Sequence, residues 1–135
     1  MAILSNLGKY KDTGLLILRI GLGIMFIMHG YPKLFGGPEK WEAVGGAMKN
    51  IHVTAFPEVW GFLAGVTETF GGFMLLIGLA FRPVCVALTF TMIIAALSHI
   101  SRGEGLMGAS HAIEAAFVFF ALIFIGPGKH SVDRK

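Results

Sequence analysis

Long apolar stretches alternate with short polar ones along this chain. Four of them, residues 14–35, 59–81, 83–101 and 110–126, fall within the roughly 17–25 residues that a helix needs to cross a bilayer core. Inside these stretches the small and polar positions recur at helical spacing. At about 100° per residue, Arg19, Gly23, Phe26 and Gly30 share one face of the first span, with His29 to one side. Gly61, Gly65, Glu68 and Gly72 share a face of the second, where small residues let a neighbouring helix approach closely. Cys85, Met92 and His99 recur by sevens on the third, and His111 and Glu114 are neighbours at i and i+3 on the last. The pattern predicts an all-α fold: one polytopic membrane domain over residues 1–135, built as a four-helix bundle.

The connections refine this picture. Spans two and three meet at Phe81-Arg82-Pro83, which predicts a tight antiparallel hairpin with Pro83 at a helix start. Residues 102–109 are rich in turn formers. The long connection, 36–58, holds Trp41, Val44 and Met48 at i, i+3 and i+7 behind Pro38, which predicts a short amphipathic helix in the membrane interface. The first span carries Arg19 and no small-residue cleavage signature, so it is expected to be retained as a helix.

Composition changes the picture by exclusion. The chain is 55% hydrophobic and only 14% charged, against about 25% charged in soluble domains, so a soluble enzyme domain and a disordered chain are both excluded. The net charge of +3 comes from bases at the ends of apolar runs, a distribution that suits membrane topology and gives no support to nucleic-acid binding. Lys9, Lys11, Arg82, Lys129, Arg134 and Lys135 fall on one side. Lys33, Lys40, Lys49 and Arg102, offset by glutamates, fall on the other, so both termini are expected in the cytoplasm. The lone cysteine, Cys85, can form no intramolecular disulfide or Cys-x-x-Cys redox pair and is expected to be a packing residue.

The candidate chemistry lies in ionisable groups within the spans, which cost about 2.5–3.5 kcal/mol each on insertion scales and are functional candidates for that reason. Counted at ~1.5 Å per residue from the cytoplasmic ends, His29, Glu68, His99, His111 and Glu114 lie ~22, ~20, ~24, ~22 and ~18 Å deep. Five groups from four helices at one level predict a shared pocket. Histidines with carboxylates could ligate a transition metal, with His29, His99, His111 and Glu114 as the candidate set, and two imidazoles could hold a haem iron. The same groups could bind the carbonyls of a quinone and exchange protons with it, beside Phe26, Tyr31, Phe70 and Phe117. Arg19 lies nearer the cytoplasmic end. It is expected to pair with a carboxylate or carbonyls of the C-terminal segment, Asp133 being the candidate ion-pair partner. His52 and His130 read as solvated.

Leu18-Arg19 followed by His29-Gly30-Tyr31-Pro32-Lys33-Leu34-Phe35-Gly36-Gly37 resembles the opening of the DoxX family of small bacterial membrane proteins. Glu68 with Gly71, Gly72, Gly78 and Arg82-Pro83 is similar to that family's second span. Gly126-Pro127-Gly128 and Ser131-Val132-Asp133 are similar to its tail, although His130 stands where an aromatic is more usual. The resemblance implies a four-helix protein of the bacterial inner membrane with cytoplasmic termini. It also implies a redox association: relatives are connected with thiosulfate:quinone oxidoreduction, as a membrane subunit, and with oxidative-stress complexes. On that reading a redox protein partner exchanges the electrons. The alternative is a non-enzymatic protein, either a small-solute carrier, for which so few spans suggest a homo-oligomer, or an assembly partner.

Overall fold

The computed structural model describes residues 3–134, and among them every regular element is helical. The elements are α1 (Lys11–Leu34), α2 (Pro38–Gly45), α3 (Pro57–Ile77), α4 (Phe81–Ser101), the single turn α5 (Gly105–Gly108) and α6 (Ser110–Ile125). Tighter 3-10 segments, Ser5–Tyr10 and Gly46–Ile51, precede α1 and follow α2. Lys135, part of the expected cytoplasmic charge, lies outside the described residues.

Three helices are long and apolar enough to cross a membrane: α1 with its 3-10 lead, α3 and α4. The fourth long apolar helix, α6, has 16 residues. Large apolar side chains such as Ile17, Met28, Phe73 and Phe124 are exposed around the outside, as lipid-facing positions are.

The small-residue stripes set the closest contact. A Cβ at Gly23 would lie 2.6 Å from the Gly72 carbonyl oxygen, and one at Gly72 would lie 2.7 Å from that of Gly23. Gly65 meets the backbone of Leu34 in the same way, so α1 and α3 cross antiparallel, backbone against backbone. The start of α4 meets the end of α6, where Arg82 Nε donates to the Ile123 carbonyl at 2.7 Å. Phe26 of α1 stands edge to face on Phe119 of α6, with ring centres 4.9 Å apart. Leu75, Phe81, Cys85, Leu88 and Phe119 are fully buried between the helices. Cys85 is thus a packing residue.

Two expectations about the connections change. The hairpin turn is Gly78-Leu79-Ala80, earlier than the expected 81–83, and Phe81 opens α4 instead of closing α3. Gly78 takes the left-handed conformation (φ 71°) that ends α3, and the apolar run through Leu79 and Phe81 masks this turn in the sequence. In the long connection a helix does form, but it ends at Gly45, and Met48 belongs to the 3-10 segment. The helix α2 is clamped onto α3: Gly45 abuts the Pro57 carbonyl, and Gly61 abuts that of Trp41.

The expected ion pair between Arg19 and Asp133 is not made. Buried Arg19 donates to the carbonyls of Leu76 (3.3 Å) and His130, so a backbone oxygen of the C-terminal segment is the partner. Asp133 instead accepts from the N–H groups of Ala80 (3.1 Å) and Phe81 (2.7 Å), capping α4 from a distance. Four N–H groups at a helix start lack an intrahelical acceptor, which explains why the carboxylate settles there. The tail is further pinned by Val132 N–H to Ile77 O and Asp133 N–H to Gly78 O, at 3.0 and 2.9 Å. Asp133→Ala is expected to lower the unfolding free energy by about 1–2 kcal/mol, the loss typical of a removed cap, read from thermal melts in detergent.

Candidate functional site

Glu68 is 1% exposed, on the face of α3 that packs against α1. Both of its oxygens accept hydrogen bonds from Lys33 Nζ, at 2.9 and 2.8 Å, in an ion pair that joins α3 to the last turn of α1. Gly30 makes this approach possible, since a Cβ there would lie 2.7 Å from the Cβ of Glu68. Pro32 and the helix end leave carbonyls of α1 without N–H partners. The Trp41 indole donates to two carbonyls of this last turn, Lys33 O at 2.9 Å and Leu34 O at 3.2 Å, and so holds α2 across the end of α1.

The pair borders a cavity of about 280 Å³ enclosed by α2, the 3-10 segment, α3 and α4. Apart from Lys33, Glu68 and the hydroxyl-bearing Thr67 and Thr91, its walls are apolar, with Met48, Trp60, Leu63, Phe90 and Ile94 among them. A charged donor and a charged acceptor therefore meet at one wall of an otherwise greasy, partly open chamber. Such a chamber can orient a small apolar molecule by its carbonyl or hydroxyl groups.

The five residues expected to share a pocket separate into three places. Glu68 alone of them borders this cavity. His29 of α1 and His111 of α6 come together away from this cavity's lining, their ring centres 5.4 Å apart, with His29 also edge-on to Phe26. Glu114 lies exposed on α6, one turn beyond His111. His99, at the end of α4, turns to the following connection, where its Nδ1 meets Glu104 and lies 3.0 Å from Arg102. The candidate metal quartet of His29, His99, His111 and Glu114 is consequently not assembled, and no group of three or more metal-ligating side chains occurs among the described residues. His99 lies at the end of α4, where the following connection supplies its partners in place of the rings on α1 and α6. His52 and His130 are exposed, as expected.

At the His99 cluster, the hydrogen bond from His99 holds the Glu104 carboxyl below the usual carboxylate range against an opposing effect of desolvation, with Arg102 adding to the lowering. A depressed carboxyl contributes its tie while ionised, so this connection is fastened at neutral pH and loosens as Glu104 protonates in acid.

Lys33 is the site residue that the sequence reading placed elsewhere, among the flanking charges of a loop. Its signal was available. It follows Phe26 and Gly30 by seven and three positions, on the same buried stripe of α1.

The family model described as DoxX matches residues 14–100, which include most of α1, all of α2 and α3, and almost all of α4. An uncharacterized protein of Haemophilus influenzae is 28% identical over 98% of this chain and 97% of its own length. Two proteins of Escherichia coli K12 are similarly related. Inner membrane protein YphA is 27% identical over 96% of this chain and 95% of its own, and inner membrane protein YqjF is 28% identical over 93% and 94%. No solved structure matches the chain.

Proposed function

The chain belongs to the DoxX family of membrane proteins, and from that premise we propose that it binds a lipid-soluble quinone in the Lys33–Glu68 cavity, as the membrane subunit of a redox system. In this reading all four long helices span the inner membrane, α6 included, with both termini in the cytoplasm. One observation carries it: a buried carboxylate and its ammonium partner at the wall of a partly open, otherwise apolar chamber. Lys33 Nζ would donate to a quinone carbonyl, and Glu68 would accept from the hydroxyl of the reduced form. The volume, at the small end of the roughly 300–1,000 Å³ typical of ligand cavities, suits a single-ring head group with its tail in lipid. Neither haem nor a metal ion fits this chamber, because no imidazole or thiol lines it and Glu68 is its one carboxylate. Electrons would come from, or go to, a partner protein.

A second reading draws on a specific feature. Both oxygens of Glu68 are already taken by Lys33, as in a structural clasp, which suits a carrier or assembly partner with no redox role.

Trp60 lines the cavity, so bound quinone should quench its fluorescence. With the protein in lipid nanodiscs, titration with a short-tailed quinone is expected to give saturable quenching. The double substitution Lys33→Met/Glu68→Leu is expected to weaken it by about tenfold or more, as the loss of a charge-assisted hydrogen bond of roughly 1.5–3 kcal/mol implies. Quenching that never saturates, or that the double variant retains, would leave the clasp as the better account.

A further inference from the structure

We infer that the groove between the end of α3 and the C-terminal strap binds the phosphate head group of an anionic phospholipid, with Arg134 as its charged contact. Leu76 and Ile77 form one wall, and His130, Ser131, Val132 and Arg134 form the other, around an open space of about 750 Å³. It shares no residue with the Lys33–Glu68 cavity. Helix α3, one of those long and apolar enough to cross a membrane, ends at Ile77, so the groove lies where a span gives way to head groups. Phe73, one turn earlier, and Val132 are both exposed and carry the lipid-facing surface up to the groove.

The charges call for an anion. Arg19 is 1% exposed, and the two main-chain oxygens that receive its guanidinium belong to Leu76 and His130, one on each wall. Among the described residues no carboxylate lies within ion-pair distance of it, and its Nε is buried without a hydrogen-bond partner. A buried cation met only by neutral oxygens is costly, and a negative charge nearby lowers that cost. The aspartates at this end of the bundle are already engaged. Asp12 accepts from the Lys129 N–H at 3.1 Å, and Asp133 from those of Ala80 and Phe81. Arg134, at the rim, is exposed, and its side chain has no partner among the described residues. The Ser131 hydroxyl fixes the backbone that carries it, accepting from Arg134 N–H at 2.9 Å and donating to Gly128 O at 2.6 Å. A guanidinium presents a planar fork of donors that matches phosphate oxygens. The apolar surface of Leu76, Ile77 and Val132 favours a lipid over a free ion, since it can cover the glycerol and first acyl carbons that a free phosphate lacks.

The test uses the full chain, delipidated in a neutral detergent, with short-chain phosphatidylglycerol, phosphatidylcholine and inorganic phosphate as probes. Native mass spectrometry is expected to show one phosphatidylglycerol per chain, with phosphatidylcholine held at least about fivefold more weakly. The melting temperature should rise only with the anionic lipid. Arg134→Gln should weaken phosphatidylglycerol binding by about fivefold, the equivalent of the roughly 1 kcal/mol that one basic group contributes near an anionic head group. Circular dichroism confirms that the variant is folded. Lys11→Gln removes the same charge from the same end of the bundle but outside the groove, and should bind as the wild type does. Four results would each overturn the inference: equal retention of the two lipids, inorganic phosphate raising the melting temperature as much as the lipid, undiminished binding by Arg134→Gln, or Lys11→Gln weakened as much as Arg134→Gln. The last would replace a site with a diffuse surface charge.

Discussion

Glu68→Gln is expected to lower the unfolding free energy by about 3–5 kcal/mol, the cost of removing one partner of a buried ion pair. The neutral amide leaves the Lys33 ammonium facing a site with no compensating charge, and the last turn of α1 loses its tie to α3. Lys33→Met/Glu68→Leu should recover most of that loss. Buried pairs replaced together by apolar side chains of similar volume are often neutral or stabilising, because desolvation offsets much of their attraction. Denaturation in mixed detergent micelles measures both variants. A Glu68→Gln protein as stable as the wild type would show that Lys33 relaxes to the membrane surface and that the pair holds nothing together.

Gly61→Ala is expected to cost about 3 kcal/mol, the upper end of overpacking, because the added methyl meets a carbonyl of α2 and not a flexible side chain. The helix must then lift off α3, taking with it the Trp41 indole that closes the end of α1. The expected signature is a red shift in tryptophan emission together with new protease cleavage between residues 38 and 52. Gly21→Ala is the control. Nothing lies within 4 Å of the methyl it adds, so it should be neutral or slightly stabilising through helix propensity. If Gly61→Ala matched the control, the α2–α3 crossing would have to be looser than its backbone contact indicates.

The helices were legible because apolar length and small-residue spacing are local properties. The stripe Arg19, Gly23, Phe26 and Gly30 is buried throughout, and so is that of Gly61, Gly65, Glu68 and Gly72. The meeting of one pair was legible as well, since rise per residue is nearly constant: His29 and His111, counted from opposite directions, are neighbours. Azimuth was not. Whether His99 faces the rings on α1 and α6 depends on how four helices rotate against one another, which no single helix's sequence specifies. Lys33 was hidden by its position at a span end, where a lysine ordinarily counts as a flanking charge. Asp133 was the carboxylate expected to meet Arg19, yet it accepts from the N–H groups at the start of α4. Backbone donors carry no letter in a sequence, so competition of this kind is found only in three dimensions.

The strap of residues 130–133 has a consequence for the order of assembly. Arg19 is among the first intramembrane side chains to be synthesised, but the His130 oxygen that receives its guanidinium is made more than a hundred residues later. Until the ribosome has released that segment, a nascent bundle holds a cation with one of its acceptors missing and α4 without the carboxylate that caps it. Insertion of the helices and closure of the molecule are therefore separate events in time. A quality-control protease that samples the interval between them would find its substrate in any chain stalled before Asp133.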